Sequence, residues 1–377
     1  MAVPCPQRTR RPGKSACVRI PAARTSGDLP LRRCFVTASN DHYPVVVIPF
    51  VAPPVWPTPV RQGRLASTIV RNSSELREDR EAMAQFKKCR VALLGIPDDT
   101  GVELNHGRPG AKHGPHALRA ALARYGVASP MDEPETGSAY PRIFDAGDVI
   151  LGQTIHETHD RVTEATQALL EAGLFPIAIG GGHDLTFPFV RGVSRVFGPL
   201  TGVYLDAHLD VRPDVGSGMS FRSLLDGGFA RRVTCVGADA LSNTREHLAY
   251  LHSRGCAVQN FNPASWPGPE TGAAGDDRQF VSLDMDVIDM AHAPGVSAMN
   301  PCGMTPAQVG AYVDAAGRSP YVKCFDIMEL SPPNDEPPGG GAAPISTGAA
   351  AAGGGRTARL AAHLLLRFLR GYTERPA

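Results

Sequence analysis

The sequence predicts an α/β fold in which a parallel sheet is covered by helices on both faces. Two observations carry this prediction. From Arg90 onward, short apolar runs typical of buried strands recur along the chain, and several of them are separated by stretches with helical periodicity. Strands that alternate with helices form parallel sheets whose two faces are both covered. In such sheets, ligands bind beyond the carboxyl ends of the strands.

Seven segments are expected to be strands because each is a short apolar run: Val91–Gly95, Ile143–Asp145, Phe175–Gly180, Gly202–Asp206, Val233–Gly237, Phe280–Leu283 and Val322–Ile327. Four helices are predicted between or after them: Pro115–Arg124, His159–Ala172, Thr305–Gly317 and Arg356–Tyr372. The first opens with proline, and the third opens with a Thr cap followed by Pro306, both of which favour a helix start. The last carries an apolar stripe formed by Leu360, Leu364, Leu365 and Phe368.

The two ends of the chain differ in composition from this core. The first 35 residues carry eight Lys and Arg against one acid, Asp28, which is typical of an organelle transit peptide; a disordered extension or a gene model begun too far upstream is the alternative. Residues 1–87 are therefore assigned to an extension and residues 88–377 to one catalytic domain. A Gly- and Ala-rich segment, residues 336–355, is interpreted as an inserted surface loop or a gene-model artefact. About 270 residues remain, a size that one α/β domain reaches.

Composition excludes several classes of function. The 38 Lys and Arg balance 37 Asp and Glu to a net charge of +1, so no global field exists to hold nucleic acid. The longest N-terminal apolar stretch, Pro44–Trp56, is too short and too interrupted by proline to span a bilayer. The eight cysteines lack paired spacing, which indicates reduced thiols in an intracellular protein. The expected location is the cytoplasm, or a mitochondrion or plastid if the basic leader is a transit peptide.

Three predicted strands end in residues that bind metals. His183 follows three glycines at the end of the strand predicted at Phe175–Gly180. Asp206, His208 and Asp210, spaced i, i+2 and i+4, lie at the end of the strand predicted at Gly202–Asp206. Asp284 and Asp286 follow the strand predicted at Phe280–Leu283. In an extended backbone, the i, i+2 spacing places side chains on one face. Each motif alone also fits a turn, a surface loop or a solvated strand end. Their joint occurrence at strand ends indicates one shared site.

The charge of that site predicts its cofactor. Four carboxylates and two imidazoles directed at one spot repel one another unless cations lie between them, and four negative charges match two divalent ions. Oxygen-rich ligation without thiolate suits Mn²⁺ better than zinc or copper. Two such ions can share a water, lower its pKa and present hydroxide to an electrophilic carbon. Hydrolysis without a side-chain nucleophile is the expected chemistry.

The motifs GGGHD, DAHLD and SLDMDVID resemble, in order, those of the ureohydrolases, the superfamily of arginase, agmatinase and formimidoylglutamase. The resemblance extends from about Arg90 to Leu369. It implies a three-layer α/β/α sandwich around a mostly parallel, about eight-stranded sheet, two Mn²⁺ per subunit and a homo-oligomer. It further implies that His183, Asp206, Asp210 and Asp284 hold one metal and His208, Asp206, Asp284 and Asp286 the other. Asp206 and Asp284 then bridge the metals, and Asp210 also orients the hydroxide.

Within this superfamily, the sequence is most similar to formimidoylglutamases. Phe221 stands where arginases place a His that transfers a proton, and the strings around Arg212, Ser217–Arg222 and Ala293–Ala298 resemble the formimidoylglutamase pattern. The implied reaction is N-formimidoyl-L-glutamate plus water to L-glutamate plus formamide, a step of histidine degradation. The alternatives are a guanidino-compound hydrolase that releases urea, such as an agmatinase, a guanidino-acid hydrolase or an arginase-like enzyme, and a non-catalytic family member.

The substrate-binding residues follow from the same resemblance. Arg212, Ser217 and Arg222 are assigned to the substrate, whose two carboxylates suit guanidinium groups. The alternative for either arginine is an ion pair with a nearby acid, such as Asp214 or Asp226. Glu329 is assigned to the amidine nitrogens, with a strand-end salt bridge as its alternative.

Overall fold

The computed structural model of the chain describes residues 47–74, 76, 79–126, 140–259, 278–335 and 355–376. Its centre is one sheet, whose strands follow here in chain order: β1 Val51–Ala52, β2 Val70–Arg71, β3 Val91–Gly95, β4 Ile143–Val149, β5 Phe175–Ile179, β6 Leu200–Leu205, β7 Ala230–Val236, β8 Ala257–Gln259, β9 Gln279–Asp284 and β10 Val322–Met328. The strands lie in the order β1-β4-β3-β5-β10-β9-β6-β7-β8, and β2 also pairs with β4. β1 runs antiparallel to β4, while the other described pairings are parallel.

Helices cover both faces of this sheet. In chain order they are α1 Arg80–Phe86, α2 Thr100–Leu104, α3 Gly114–Leu122, α4 Ile155–Glu171, α5 Thr186–Phe197, α6 Ser220–Asp226, α7 Arg245–Ser253, α8 Pro306–Arg318 and α9 Arg356–Thr373. Side chains alternate along each strand, so neighbours face opposite layers. Val91 and Leu93 of β3 join the core under α3, α8 and α9, whereas Ala92 and Leu94 join the core under α1, α4 and α5. The predicted three-layer α/β/α sandwich is confirmed.

The helix ends follow local sequence signals. Thr305 caps α8 in a reciprocal capping box with Gln308, and Pro306 occupies the first turn, as the sequence predicts. Thr154 caps α4 by accepting from the backbone N–H of Glu157. This cap adds a turn before His159, where the predicted helix starts. In α9, the stripe residues Leu364, Leu365 and Phe368 are fully buried, and Leu360 packs partly buried beside them.

The prediction that residues 1–87 lie outside the fold is wrong for the part of 47–87 that the structure describes. This segment contributes β1, β2 and α1 and buries Trp56, whose indole Nε1 donates to Asp145 Oδ2 at 2.8 Å. Prolines in it misled the prediction, because a Pro-punctuated segment can still pack when its few aromatic and aliphatic residues find a core. The described part of residues 88–377 contains the seven predicted strands and an eighth, β8, that was not predicted, and β1 and β2 make ten. Residues 1–46 and 336–354 lie outside the described part.

The sheet order brings four strand ends together. β5, β10, β9 and β6 are consecutive neighbours, and their carboxyl ends point to one edge because they are parallel. The chain turns sharply after β5 at Gly181, where a Cβ would lie 1.6 Å from the carbonyl oxygen of Asp98. Only glycine fits there. Within the described residues, no helix has the length and apolar character needed to cross a membrane.

Candidate metal centre and active site

The side chain of His183 lies at the centre of the first group of candidate ligands. Its Nδ1 is 3.0 Å from Asp206 Oδ2, 2.9 Å from Asp210 Oδ2 and 3.1 Å from Asp284 Oδ2. An imidazole nitrogen carries at most one proton and cannot donate to three carboxylates. Nδ1 of His183 and Oδ2 of Asp206 are both buried without a hydrogen-bond partner among the described residues. This arrangement fits a cation among the four side chains.

A second group surrounds His208 and shares Asp206 with the first. Nδ1 of His208 is 3.0 Å from Asp286 Oδ2 and 3.5 Å from Asp206 Oδ1. Oδ1 of Asp286 is also buried without a partner in the described part of the chain. The structure therefore brings together all six predicted ligands, with Asp206 between the two histidines. Among the described residues, two groups of side chains could hold a metal ion: His183 with Asp206 and Asp210, and His208 with Asp206 and Asp286.

The electrostatics of the site favour bound cations. Burial, together with the charges of Asp286 and Asp206, raises the pKa of Asp284 well above its usual value. Burial and the charges of Asp210 and Asp286 likewise raise the pKa of Asp206. Burial lowers the pKa of His183, but its carboxylate partners outweigh burial and raise the pKa well above normal. Protons therefore compensate these charges when metal is absent. Oxygen and imidazole donors without thiolate fit a divalent ion of the Mn²⁺ type.

A buried serine and a buried aspartate hold the His183 imidazole on the side opposite its Nδ1. Nε2 of His183 lies 3.0 Å from Ser282 Oγ, which donates to Asp326 Oδ1 at 2.5 Å. Because the Ser282 proton goes to Asp326, Nε2 carries the imidazole proton and Nδ1 keeps its lone pair for a metal. Burial raises the pKa of Asp326 to about 7.

Asp184 and Asp289, two acids next to the ligand motifs, have partners other than the ligand imidazoles. Asp184 Oδ2 pairs with Nε2 of His159 on α4 at 2.9 Å, in the buried layer beneath the site. Asp289 Oδ1 accepts from the backbone N–H of Ala291 and shapes its own loop. Ser282 and Asp326 support the His183 imidazole instead. Ser282 opens the SLDMDVID motif, whereas Asp326 lies in a predicted strand outside the three motifs.

Two residues of the site have left-handed backbones. Asp210 has φ 46° and Glu329 has φ 60°, a region that non-glycine residues seldom occupy. Such conformations cost of order 1–3 kcal/mol each and persist only where surrounding contacts hold them. Both side chains line the cavity beside the metal groups. The left-handed backbone conformation turns both carboxylates toward the site.

Glu329 lies at the end of β10, next to the His183 group. Its Oε1 accepts from the backbone N–H of His183 at 2.9 Å, while its buried Oε2 has no partner among the described residues. Burial, with the charges of Asp286 and Asp210, raises the pKa of Glu329 to about 8. Glu329 forms no ion pair with any described residue, so the alternative role of a strand-end salt bridge is not supported.

A cavity of about 150 Å³ opens beside the metal groups. Besides ligands and Glu329, it is lined by Asn105, Gly107, Arg212, Ser217, Ser242, Asn243, His247, Ser297 and Ala298. Arg212 is the one Lys or Arg among the lining residues, and its guanidinium forms no ion pair in the described part of the chain. Ser217 accepts at Oγ from the side-chain amide of Asn105, 2.9 Å away. Two of the three predicted substrate residues therefore face the cavity.

The structure does not bring Arg222 to this cavity. On α6, its guanidinium lies 3.4 Å from Asp226 Oδ2 and 4.3 Å from the ring centroid of Tyr250. The position of Arg222 agrees with the alternative interpretation, an ion pair with Asp226. Arg222 and Asp226 are i, i+4 neighbours on one helix face, and Tyr250 of α7 supplies a cation–π contact.

Sequence reasoning missed five polar lining residues, besides Gly107 and Ala298. Ser297 lies in the Ala293–Ala298 string that carries the family resemblance, which was a signal for it, and Asn105 opens a second such string, Asn105-His-Gly-Arg-Pro-Gly-Ala. Ser242, Asn243 and His247 come from the loop and helix start after β7, a polar stretch without any motif. Burial lowers the pKa of His247, and Arg212 lowers it further, so its imidazole is neutral near pH 7. Phe221 is fully buried and stacks on Tyr204, with ring centroids 3.5 Å apart.

Comparison with known proteins agrees with this geometry. The model of the arginase family matches residues 89–370, so the chain belongs to the arginase family. It is 33% identical over 256 residues to formimidoylglutamase of Geobacillus thermodenitrificans, covering 64% of this chain and 77% of the relative. It is 29% identical over 264 residues to the human mitochondrial guanidino acid hydrolase, covering 65% and 72%. Among solved structures, Trypanosoma cruzi formiminoglutamase with Mn²⁺ matches with a TM-score of 0.64 and 28% identity, covering 76% and 95%. The predicted class of enzyme, a hydrolase of this family, is confirmed.

Proposed function

We propose that the protein hydrolyses a C–N bond of an amidine that carries a carboxylate, and that its substrate is N-formimidoyl-L-glutamate. The products are L-glutamate and formamide. The observation that carries this proposal is Arg212, a guanidinium without an ion-pair partner in the described chain, at a cavity that otherwise ends in a buried carboxylate cluster. A cationic amidine fits the acidic end, and a carboxylate fits the Arg212 end.

Two Mn²⁺ ions per subunit fit the six candidate ligands. His183, Asp206, Asp210 and Asp284 would hold one ion, and His208, Asp206, Asp284 and Asp286 the other. When bound, such ions lower the pKa of water and supply hydroxide for attack on the amidine carbon. The buried Nδ1 of His183, Oδ2 of Asp206 and Oδ1 of Asp286, which have no hydrogen-bond partner among the described residues, support this assignment.

Glu329 binds and orients the amidinium group. Its Oε2 has a free acceptor position and is buried, so a hydrogen bond from a cationic nitrogen is strong there. The positive charge of the substrate favours the ionised form of Glu329 against the burial that raises its pKa. Because Oε1 is already held by the His183 backbone, the carboxylate needs no rearrangement to receive the substrate.

Asp210 transfers the proton that the reaction moves from the attacking water to the leaving nitrogen. It lines the cavity, and its side chain is 12% exposed, more than those of Asp206 and Asp284. Addition of water across the C–N bond places oxygen on the amidine carbon and requires the leaving amine nitrogen to gain a proton. The Asp210 carboxyl accepts a proton from the attacking water and delivers it to that nitrogen as the C–N bond breaks.

Arg212, Ser217 and Asn105 position the other end of the substrate. A guanidinium pairs with a carboxylate in two-point geometry, and the Asn105–Ser217 pair offers polar groups beside it. Arg222 takes no part, since Asp226 and Tyr250 hold it.

Hydrolysis of a guanidino acid with release of urea is the second candidate. One observation favours it: Arg212 is the single guanidinium among the lining residues, and a guanidino acid has one carboxylate where formimidoylglutamate has two. Agmatine fits less well because its amine would face Arg212. A non-catalytic member fits least, since all six ligand side chains are present and brought together.

Substrate profiling of the purified, Mn²⁺-loaded protein tests the proposal. Formimidoylglutamate, guanidinobutyrate, agmatine and arginine are compared, and formamide is measured against urea. Formamide from formimidoylglutamate at the highest kcat/KM is the expected result. Urea from guanidinobutyrate with no formamide would transfer the assignment to the second candidate, and no turnover of any substrate by metal-loaded protein would favour the non-catalytic member.

A further inference from the structure

The loop that carries His208 and Asp210 is held by the side chain of Asn243. The amide Oδ1 of Asn243 accepts from the backbone N–H of Leu209 at 2.8 Å. Its Nδ2 donates to the carbonyl of Ala207 at 2.8 Å and to the carbonyl of Asp239 at 2.8 Å. Asn243 therefore binds the peptide groups on both sides of His208.

The chemistry of this contact is specific to an asparagine. A side-chain amide has a donor and an acceptor, so it pairs with a backbone C=O and N–H as another peptide strand would. Both N–H groups of Asn243 and its carbonyl oxygen are used in these bonds. Although Asn243 lines the cavity, it has no N–H left for a substrate.

The loop needs such support because its backbone is strained. Asp210 has φ 46°, and residues 206–210 follow the end of β6 without a strand partner of their own. Further bonds to this loop come from the Tyr204 hydroxyl, which donates to the carbonyl of Leu209 at 2.9 Å, and from the Cys235 thiol. Backbone N–H groups of neighbouring segments also donate to the carbonyls of Ala207 and Asp210, at 2.9 and 3.1 Å, but none of these bonds reaches the N–H of Leu209. Without Asn243, the N–H of Leu209 loses its bond beside the strained residue.

We propose that Asn243 is a positioning residue that directs His208 and Asp210 at the two metals. It acts through the backbone of residues 207–209 and touches neither metal nor substrate. This inference rests on the proposed metal-dependent function. Besides the six candidate ligands, the site thus depends on Asn243, which lies 34 positions after Leu209 in the chain and is hydrogen-bonded to it.

Two variants test this role. Asn243→Ala removes all three bonds, whereas Asn243→Asp keeps the size and the acceptor for Leu209 but loses both donors. The matched control is Leu241→Ala, in the same loop, whose side chain is 95% exposed. Mn²⁺ binding is measured by calorimetry and metal analysis, and hydrogen exchange of residues 206–211 is measured in the metal-free protein. Circular dichroism and thermal unfolding establish that each variant is folded.

The expected result is selective. Asn243→Ala should weaken Mn²⁺ binding by about 10- to 100-fold, the usual effect of a residue behind a metal ligand, with a larger loss at the His208 group than at the His183 group. Exchange at residues 207–209 should accelerate, less so in Asn243→Asp, and Leu241→Ala should match the wild type. A merely structural role would lower the unfolding temperature without a selective loss of one metal.

Unchanged metal affinity and exchange in folded Asn243→Ala and Asn243→Asp proteins would overturn the inference. If Asn243→Ala does not fold, Asn243→Asp decides alone by the same two measurements. The readouts need no substrate, so a wild type that binds two Mn²⁺ but hydrolyses none of the amidines would refute the proposed function and leave the Asn243 test intact. A wild type that binds no divalent metal would refute both.

Discussion

The backbone N–H of His183 donates a hydrogen bond to Oε1 of Glu329, 2.9 Å away, across 146 positions of the chain. The bond joins the ends of β5 and β10, which are neighbours in the sheet. It fixes one oxygen of the Glu329 carboxylate and leaves Oε2 buried without a partner among the described residues. A candidate metal ligand and a candidate substrate-binding carboxylate thus share one rigid support.

Glu329→Gln separates charge from shape at this position. The amide oxygen of Gln can still accept from His183, but the negative charge that binds the amidinium is lost. A hydrogen bond to a charged group contributes about 1.5–3 kcal/mol, so kcat/KM should fall by about 10- to 100-fold. Steady-state kinetics measure this, and metal analysis should find unchanged Mn²⁺ content. Loss of metal from the variant would instead make Glu329 a ligand.

The metal-free protein should lose stability as the pH rises from about 4 to about 8. Burial raises the folded-state pKa of Asp326 to about 7 and that of Glu329 to about 8, against about 4 in the unfolded chain. The folded state therefore binds more protons than the unfolded state in this window, and stability falls as pH rises through it. The raised pKa of His183 acts with the same sign above pH 6.5. Thermal unfolding of the metal-free protein between pH 5 and 8 measures the effect.

Mn²⁺ binding should show the opposite pH dependence. The metal replaces the protons on its ligands, so binding releases protons and the apparent affinity rises with pH. Calorimetry in buffers of different ionisation enthalpy counts the released protons. A metal-free unfolding temperature that rises from pH 5 to 8, or an affinity that does not depend on pH, would contradict the protonated state described for this cluster.

Arg212→Ala and Arg222→Ala form a matched pair. Both remove a guanidinium within one segment, but only Arg212 lines the cavity. Arg212→Ala should raise KM by about 10- to 100-fold through the loss of a charged hydrogen bond, with a smaller effect on kcat. Arg222→Ala should leave KM within about two-fold, because its exposed pair with Asp226 contributes at most about 1 kcal/mol to stability. Steady-state kinetics with formimidoylglutamate compare them, and the reverse pattern would restore Arg222 as the substrate residue.

A chain that begins at Met83 should be less stable than one that begins at Val47. The shorter chain lacks β1, β2 and the buried Trp56, and it leaves Asp145 with Arg119 as its remaining side-chain partner among the described residues. Removal of one buried Trp side chain costs about 3–5 kcal/mol, so the free energy of unfolding should fall by at least about 3 kcal/mol. Urea unfolding of the two metal-free chains measures the difference. Equal midpoints would mean that residues 47–82 add nothing to the fold.

The parts of the structure that sequence predicted depend on local patterns. Asp206 follows β6 directly, Asp284 is the last residue of β9, and His183 follows β5 after three glycines. Parallel strands place their carboxyl ends at one edge. Strand type and ligand position were therefore readable without knowledge of the tertiary fold. The helix starts at Thr305 and Gly114 likewise follow from a cap and a proline.

The parts that sequence missed depend on contacts distant in the chain. Arg222 could pair with substrate or with Asp226, and the choice is decided by Tyr250 of α7, which packs over its guanidinium. From the sequence, Trp56 looks like part of a Pro-rich leader. Its place in the core depends on Asp145, 89 positions later, which accepts a hydrogen bond from its indole N–H. Asn243 lies in a polar loop without a motif, and its role appears only when Ala207 and Leu209 are seen beside it.

The two ends of the strand order also bear on self-association. β1, at one end, pairs two residues with β4, and β8, at the other, has three residues. The unpaired backbone groups of an exposed edge strand can form hydrogen bonds with a strand of another molecule, and short edge strands limit such pairing. In a chain without β1 and β2, β4 would present the outer edge of its seven residues. The segment from Val47 to Arg71 thus covers the edge of β4 at which a strand of another molecule could add.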